Sequence, residues 1–425
     1  MSGRPTVWTF LREQAAFRRL WLATAVAELG TAIARIAFIL LVHQRAVAAG
    51  TGLPEAANAL MLILETAPIV LLGPIAGALV DRCDRRSLLV VCSIIQAALM
   101  LSVPLLMHLD VDWPLYVVAM CVAAISTVFP PARQSAIPDL VGVERSATAN
   151  SISGSTTSLM FVIGMGVASL LIDRFGKDVC FWVNGSCFLF AATHLASLRL
   201  PRHIASAGAG LRRFARDVAA GISYAWSRPT LAYITACFFM AFVFIGIWMP
   251  LMPEYLRRDL GVDADLWMPY AMMAFGIGGI LGGTVGGWLG RKFGMGRMIV
   301  LIYLIEPFQV MAYFWVHSVA VMIALSFTWG VLAFAYFVQE QTVMHEDVPG
   351  ELRGRVFGLL PPLQAFGTLV ASAIVFIEAG ALRPRTMLLL AGASYLVTSL
   401  VFTVSMRGSR ELWQRTPRGA ASTVG

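Results

Sequence analysis

Four ionisable side chains interrupt long apolar stretches of this sequence: Glu28, Arg35, Glu65 and Glu306. Charged groups in apolar surroundings are costly, so they usually pair with each other or bind a substrate or a proton. Apolar surroundings also favour the protonated form of a carboxyl group, which brings its proton exchange closer to neutral pH. We therefore treat these four residues as candidates for binding and releasing protons or a substrate.

The spacing of these residues suggests how they act. Glu28 and Arg35 are seven positions apart, two turns along one helix face, so they could pair with each other or take separate partners. Glu65 lies three residues before a proline and Glu306 directly precedes one. Proline frees a backbone carbonyl and bends a helix, which favours the entry of water. The alternative for each residue is a purely structural acid or ion pair.

A second group of charged residues lies in short breaks between the apolar stretches: Gly77, Asp81, Arg82, Arg85, Arg86, Arg353 and Arg355. Asp81 ends its own helix, where a carboxylate opposes the helix dipole, but it suits the start of another helix near Gly354. The arginines could pair with acidic residues near positions 346, 347 and 351. We expect this group to form a latch on the cytoplasmic side. The alternative is that the arginines only follow the positive-inside rule.

The elements that must position these residues are membrane-spanning helices. The chain of 425 residues is 58% hydrophobic and 13% charged, against about 25% charged residues in soluble proteins. Twelve apolar runs are long enough to cross a bilayer as helices, because each crossing needs about 20 residues. These predicted spans cover 20–42, 57–80, 87–107, 113–132, 148–172, 179–198, 230–252, 267–289, 297–316, 319–339, 354–377 and 385–406. The predicted fold class is an all-α membrane protein.

The basic residues predict the orientation of these spans. The net charge of +8 could suggest a nucleic-acid partner, but most lysines and arginines fall in alternate loops, on the side of the N-terminus. This asymmetry is typical of cytoplasmic loops and of contact with an anionic leaflet of the lipid bilayer. We therefore expect a multi-pass protein of the cytoplasmic (inner) cell membrane, with both termini in the cytoplasm and no nucleic-acid partner.

The two halves of the chain resemble each other. The stretch that begins Gly73-Pro-Ile-Ala-Gly77 closes the second span, and Gly283-Thr-Val-Gly-Gly287 closes the eighth. Parallel six-helix repeats predict two bundles related by a pseudo-two-fold axis along the membrane normal, with the substrate site between them. The predicted domains are an N-terminal bundle (1–198), a cytoplasmic linker with an amphipathic surface helix (199–228), a C-terminal bundle (229–406) and a cytoplasmic tail (407–425).

The same repeat predicts a gate. Aligning Val141 with Val348 places Arg133 opposite Glu340, at the inner ends of the fourth and tenth spans. Opposite charges facing each other across the axis would hold the cytoplasmic side closed. The alternative is that each residue pairs within its own half.

Three loops carry a family resemblance. Gly77, Asp81, Arg82, Arg85 and Arg86 match the signature loop of the major facilitator superfamily. The segments 129–141 (FPPARQSAIPDLV) and 348–357 (VPGELRGRVF) resemble those of its macrolide-efflux and enterobactin-export branch. This resemblance implies a transporter that exports a small amphipathic molecule, such as a drug, siderophore or secondary metabolite, by proton antiport with alternating access. The alternatives are a transporter of lysophospholipid or another lipid or solute, and a membrane sensor or scaffold that does not transport.

Other chemistry has little support in the sequence. The six cysteines and six histidines show no metal-binding or disulfide spacing, and no nucleotide-binding loop occurs. No group of histidine, aspartate and serine has catalytic spacing. We expect no enzyme activity, no metal and no cofactor, and a monomer whose partners are a small-molecule substrate, protons and the bilayer.

Overall fold

The computed structural model describes residues 7–50, 53–109, 111–200, 219, 221–349, 352 and 356–415, with the backbone alone at 74, 75, 77–79, 81 and 82. These residues contain fourteen helices whose two ends are both described, and they contain no strand. The helices are α1 (Val7–Glu13), α2 (Ala15–Ala48), α3 (Pro54–Arg82), α4 (Arg85–Leu106), α5 (Trp113–Val141), α6 (Val143–Phe175), α7 (Lys177–Ala196), α8 (Pro229–Arg258), α9 (Ala264–Phe293), α10 (Met295–Trp315), α11 (Val319–Asp347), α12 (Leu360–Glu378), α13 (Pro384–Ser405) and α14 (Arg407–Gln414).

Twelve of the described helices, α2 to α13, are long and apolar enough to cross a membrane. Each of them corresponds to one predicted span, the first to α2 and the twelfth to α13. The predicted fold class of an all-α membrane protein with about twelve spans is confirmed. Several helices are longer than their predicted spans; α6, for example, has 33 residues because its polar first turns continue the backbone hydrogen bonding beyond the apolar run.

Several connections between the described helices are only one or two residues long. Cys83 and Asp84 separate α3 from α4, and the carboxylate of Asp84 accepts a hydrogen bond from the backbone N–H of Ser87 at 2.9 Å. This is the N-cap interaction expected of an aspartate. Gly142 lies between α5 and α6 with φ of 80°, a left-handed conformation that a residue with a Cβ atom rarely adopts.

Glycines on α9 let it pack closely on α11. A Cβ atom added at Gly278 would lie 2.0 Å from the carbonyl oxygen of Phe327, and one added at Gly282 would lie 2.2 Å from that of Val331. The spacing of four places these glycines on one face of the helix. Because glycine has no side chain, the backbones of α9 and α11 can approach closely along this face.

The chain divides into two compact units. Unit 1 comprises Met1–Leu41 and Pro68–Arg212, and unit 2 comprises Val42–Ala67 and Arg213–Gly425. The end of α2 and the first half of α3 therefore belong to unit 2, together with α8 to α14. The predicted domain limits, and the linker between the bundles, stay a prediction. The amphipathic surface helix expected in 199–228 lies mostly outside the described residues.

Candidate functional site

A buried carboxylate in unit 2 is held by two neutral donors. Glu306 lies in α10 and is 9% exposed. Its Oε1 accepts a hydrogen bond from Nε1 of Trp329 at 2.9 Å, and its Oε2 accepts one from the hydroxyl of Tyr395 at 3.0 Å. The two donors come from α11 and α13, so three helices meet at this one side chain.

Aromatic rings surround the donors of Glu306. The ring of Trp329 makes edge contacts with Trp248 at 5.1 Å and with Phe275 at 5.5 Å between centroids. Phe244 stacks on Tyr395 at 5.9 Å. The indole N–H of Trp248 is buried and has no hydrogen-bond partner among the described residues. The carboxylate and this free donor therefore lie within a cluster of flat aromatic surfaces.

The chemistry of this cluster follows from the charge of Glu306. Within the described part of the chain, no basic side chain forms an ion pair with it. A buried carboxylate without a cationic partner is costly to keep charged, and binding either a proton or a cationic group removes that cost. The surrounding rings suit apolar or aromatic groups and favour cations over their faces. The cluster can therefore bind protons, cations and flat apolar groups.

In unit 1, the structure brings together two of the predicted residues. Nη1 of Arg133 on α5 lies 3.7 Å from Oε1 of Glu28 on α2, and their side chains are 13% and 37% exposed. The predictions had assigned these residues to separate roles. Arg35, two turns from Glu28, is exposed. Glu65 is half-buried and belongs to the part of α3 that lies in unit 2.

The structure shows the surroundings of several residues of the predicted gate and latch. Glu340 on α11 is fully buried, and neither of its carboxylate oxygens has a partner among the described residues. Arg133 and Glu340 belong to different units, so their pairing stays a prediction. Arg85 forms an ion pair with Asp139 at 2.5 Å, and Arg86 donates to the carbonyl oxygen of Ala196.

The rest of the predicted latch is only partly described. The structure describes only the backbone of Gly77, Asp81 and Arg82 within α3, and Arg353 and Arg355 lie outside the described residues. Two of the acidic residues proposed as latch partners, Glu346 and Asp347, bind Arg415 at 2.8 and 2.9 Å. The latch stays a prediction.

An apolar groove of about 850 Å³ lies between α9 and α11 in unit 2. Its walls are almost entirely apolar and include two large aromatic residues, Trp267 and Tyr270. Ala274, Ala320 and Ala324 leave space on the facing helices. A groove of this size can accept the apolar part of a small amphipathic molecule. No group of side chains that could hold a metal ion occurs among the described residues.

Comparison with known proteins identifies the family of the chain. The sequence profile of the Major Facilitator Superfamily matches residues 20–372. This chain belongs to the major facilitator superfamily. It is 26% identical to the multidrug efflux pump Tap of Mycolicibacterium fortuitum over 80% of this chain and 83% of the pump. It is also 26% identical to the macrolide efflux protein A of Streptococcus pyogenes, over 44% and 45% of the two chains.

Solved structures of this superfamily have the same fold. The nucleoside transporter NupG superposes with a TM-score of 0.67 over 91% of this chain and 99% of its own, at 12% identity. A bacterial homologue of the human lysosomal transporter Spinster gives a TM-score of 0.64 over 93% and 97% of the two chains, at 15% identity. These superpositions show the fold. The family match and the efflux pumps among the relatives confirm the resemblance to the macrolide-efflux branch of this transporter superfamily.

Sequence reasoning identified Glu306 but not the residues around it. Trp329 and Tyr395 are separated from Glu306 by 23 and 89 positions. The available signal was the polar edge of each aromatic residue, because indole N–H and phenol O–H groups need partners when buried. No spacing in the sequence linked those edges to Glu306.

Proposed function

We propose that this transporter exports a small amphipathic molecule by secondary active transport, with proton antiport and alternating access. The observation that carries the proposal is Glu306, a buried carboxylate held by Trp329 and Tyr395 without a basic partner. In this proposal, Glu306 binds a proton in one stage of the cycle and exchanges it for the substrate in another. The proton gradient then drives the exchange.

The relatives support export as the direction of transport. Two of the proteins that this chain resembles are named as efflux pumps, one for multiple drugs and one for macrolides. Because most basic residues fall in alternate loops, we propose that both termini are in the cytoplasm and that the protein lies in the cytoplasmic membrane of a bacterium as a monomer. Substrate would enter from the cytoplasm or the inner leaflet and leave on the outer side.

The aromatic cluster and the groove support an amphipathic substrate. The rings around Trp329 offer flat apolar surfaces next to a carboxylate, which suits a molecule with an aromatic body and a basic group. The groove between α9 and α11 offers further apolar contact. A lipophilic aromatic cation is therefore the substrate class that we test first.

The ion pair between Glu28 and Arg133 completes the proposed coupling machinery. The side chain of Glu28 is more than one-third exposed, so a substrate or a proton can reach it. Binding of either would weaken its attraction to Arg133, because the arginine would lose its counter-charge. We propose that this change frees Arg133 for a second partner during the cycle, for which Glu340 stays the predicted candidate. Asp81 and its neighbouring arginines serve as the cytoplasmic latch in this proposal.

Drug accumulation in cells tests the proposed function. Cells that lack the gene are supplied with the wild-type chain, with Glu306→Gln or with the control Glu378→Gln, which changes an exposed carboxylate. We expect the wild type and the control to lower the accumulation of a fluorescent lipophilic cation and Glu306→Gln to lose this effect at equal abundance in the membrane. Equal accumulation with and without the wild-type chain, across a panel of toxic compounds, would refute export.

A further inference from the structure

A second buried polar cluster lies where the end of α2 meets the end of α8, within unit 2. Nε2 of His43 on α2 lies 3.5 Å from Oε2 of Glu254 on α8. On its other side, Nδ1 of His43 lies 3.4 Å from Nδ2 of Asn58 on α3. The three residues are 4%, 0% and 1% exposed in that order. None of them belongs to the coupling machinery described above.

The amide of Asn58 determines which form of His43 fits this cluster. Nδ2 of Asn58 also donates to the carbonyl oxygen of Pro250 at 3.1 Å. This bond fixes the orientation of the amide, so that its nitrogen, and not its oxygen, lies next to Nδ1 of His43. Because a donor therefore faces Nδ1, this ring nitrogen must accept. The hydrogen of a neutral imidazole then lies on Nε2, which faces the carboxylate of Glu254. Neutral His43 thus presents an acceptor to Asn58 and an N–H toward Glu254, although at 3.5 Å Nε2 forms no hydrogen bond with the carboxylate.

A protonated His43 would not fit. Its Nδ1–H would face the N–H groups of Asn58, and turning the amide would remove the donor from Pro250. The carboxylate of Glu254 already binds Arg257 at 2.5 and 2.9 Å and also binds Arg258. A third cation beside it, at a site shielded from water, would gain little and would lose its hydration.

A further charged group among the described residues of this cluster comes from α3. Oε1 of Glu55 accepts a hydrogen bond from the backbone N–H of Gly380 at 3.2 Å, and Glu55 is 2% exposed. This contact joins the start of α3 to the chain just after α12. Residues 42–50 and 53–67, which we call the α2–α3 corner, thus contact the rest of unit 2 through His43, Asn58 and Glu55. The rest of α2 and of α3 belongs to unit 1.

We propose that His43 is a proton-binding residue of the transport cycle, which must release its proton before the α2–α3 corner docks on α8. In the undocked corner the imidazole is hydrated and takes up a proton from the outer side. Docking then requires discharge of that proton, so closure at this end is linked to proton binding. This inference rests on the proposed orientation and proton drive, and it adds a second proton-binding group.

Labelling of an introduced cysteine tests the proposal without any substrate. Ala59, next to Asn58 and fully buried, is changed to cysteine in a chain whose native cysteines have been replaced. Intact cells are treated with a membrane-impermeant maleimide at about pH 5.5 and about pH 8, on either side of the usual histidine range. Because maleimide reacts with the thiolate, whose fraction falls at acidic pH, each rate is divided by the rate of an exposed cysteine introduced at Val111 and measured at the same pH. We expect this labelling ratio to be roughly tenfold higher at the acidic pH, which corresponds to a bias of about 1.4 kcal/mol toward the undocked corner.

Variants identify the group that titrates. His43→Gln should make the labelling ratio independent of pH, whereas His108→Gln, at an exposed histidine, should leave its pH dependence unchanged. Asn58→Asp should reverse the dependence. A carboxylate there accepts from protonated His43 but repels the Nδ1 lone pair of the neutral ring, so docking would require the proton. This variant also decides the case in which His43→Gln fails to fold.

Several results would overturn the proposal. They are a wild-type labelling ratio that does not change with pH, the wild-type pH dependence of this ratio in His43→Gln, and an unreversed dependence in Asn58→Asp. Labelling of Ala59→Cys only in everted vesicles would also overturn it, because the corner would then lie on the cytoplasmic side. Failure of export itself would instead show in the accumulation assay while the labelling remained dependent on pH.

Discussion

The carboxylates of Glu28 and Glu306 both lie on membrane-spanning helices, but their charges are offset in different ways. Glu28 lies beside a guanidinium, so its charge is offset by Arg133 at 3.7 Å. Glu306 has only neutral donors, Trp329 and Tyr395, so a proton or a cationic substrate must offset its charge. The ion pair of Glu28 is therefore weakened by any group that competes for Arg133, whereas the charge of Glu306 changes when it binds or releases a proton.

Replacing a buried tyrosine by phenylalanine should cost more stability when its hydroxyl forms a hydrogen bond than when it forms none. Tyr395→Phe leaves Oε2 of Glu306 without its donor, so we expect it to lower the free energy of unfolding by about 1–3 kcal/mol and to slow transport. Tyr336→Phe is the matched control, because the hydroxyl of Tyr336 is buried and has no partner among the described residues. Unfolding in detergent measures both variants. Equal losses of stability would mean that the bond to Glu306 contributes nothing.

Charge exchanges separate two partners of Arg133. If the pair with Glu28 matters, combining Arg133→Glu with Glu28→Arg should restore part of the transport that each single change abolishes. If the predicted gate is correct, combining Arg133→Glu with Glu340→Arg should restore it instead. Transport by the three single and two double variants is the measurement. Recovery in neither double variant would remove Arg133 from both roles.

At the scale of single residues, the sequence predicted which ionisable side chains lie in apolar helices but not which residues contact them. Glu306 stood out because an acid next to a proline in an apolar run is rare. Its donors could not be assigned, since helix pairing decides which aromatic edges reach it. The partner of Arg133 was missed for a related reason: the internal repeat indicated an acid in the other half, whereas an acid in its own half lies within reach.

At the scale of single elements, small residues determine how closely two helices pack. Gly282→Ala should destabilise the protein by about 1–3 kcal/mol, because the added methyl group would overlap the backbone of Val331. The neighbouring Gly283→Ala is the control, since a Cβ atom there meets nothing within 4 Å. Thermal unfolding in detergent compares the two variants. If both are equally stable, the close approach of α9 and α11 is not needed.

The groove between the same two helices makes a separate prediction. Ala324→Trp fills it with an indole, so transport of a bulky lipophilic cation should fall by roughly tenfold or more. Ala324→Ser keeps the volume nearly unchanged and should transport normally. Dye efflux from cells measures both variants at matched abundance. Unchanged efflux by Ala324→Trp would exclude the groove as part of the substrate path.

Helix positions were predictable from the sequence because lipid leaves no alternative to the helix for a long apolar run. Helix ends were less predictable. Hydropathy marks only the apolar part, whereas α2 and α6 continue through polar turns at both ends. The packing of α9 on α11 was partly predictable, because glycines four positions apart indicate a close contact without naming the partner helix.

At the scale of the whole molecule, the α2–α3 corner does not follow the division of the chain into two halves. The internal repeat predicted a boundary near the middle of the sequence, whereas the segment Val42–Ala67 is grouped with unit 2. Hydrophobic patterns and repeats cannot show that this segment groups with unit 2, because the grouping depends on contacts such as that between His43 and Glu254. Those contacts join residues more than 200 positions apart along the chain.

Proton movement in lipid vesicles tests proton-coupled export most directly. The purified protein is reconstituted with an acidic interior and an enclosed pH indicator, and a fluorescent lipophilic cation is added outside. We expect the interior to become more alkaline as the cation enters through the wild-type chain and through Glu378→Gln, and this response to be absent in Glu306→Gln. Entry of the cation through the wild-type chain at the same rate with and without the gradient, and with no change in internal pH, would contradict the account.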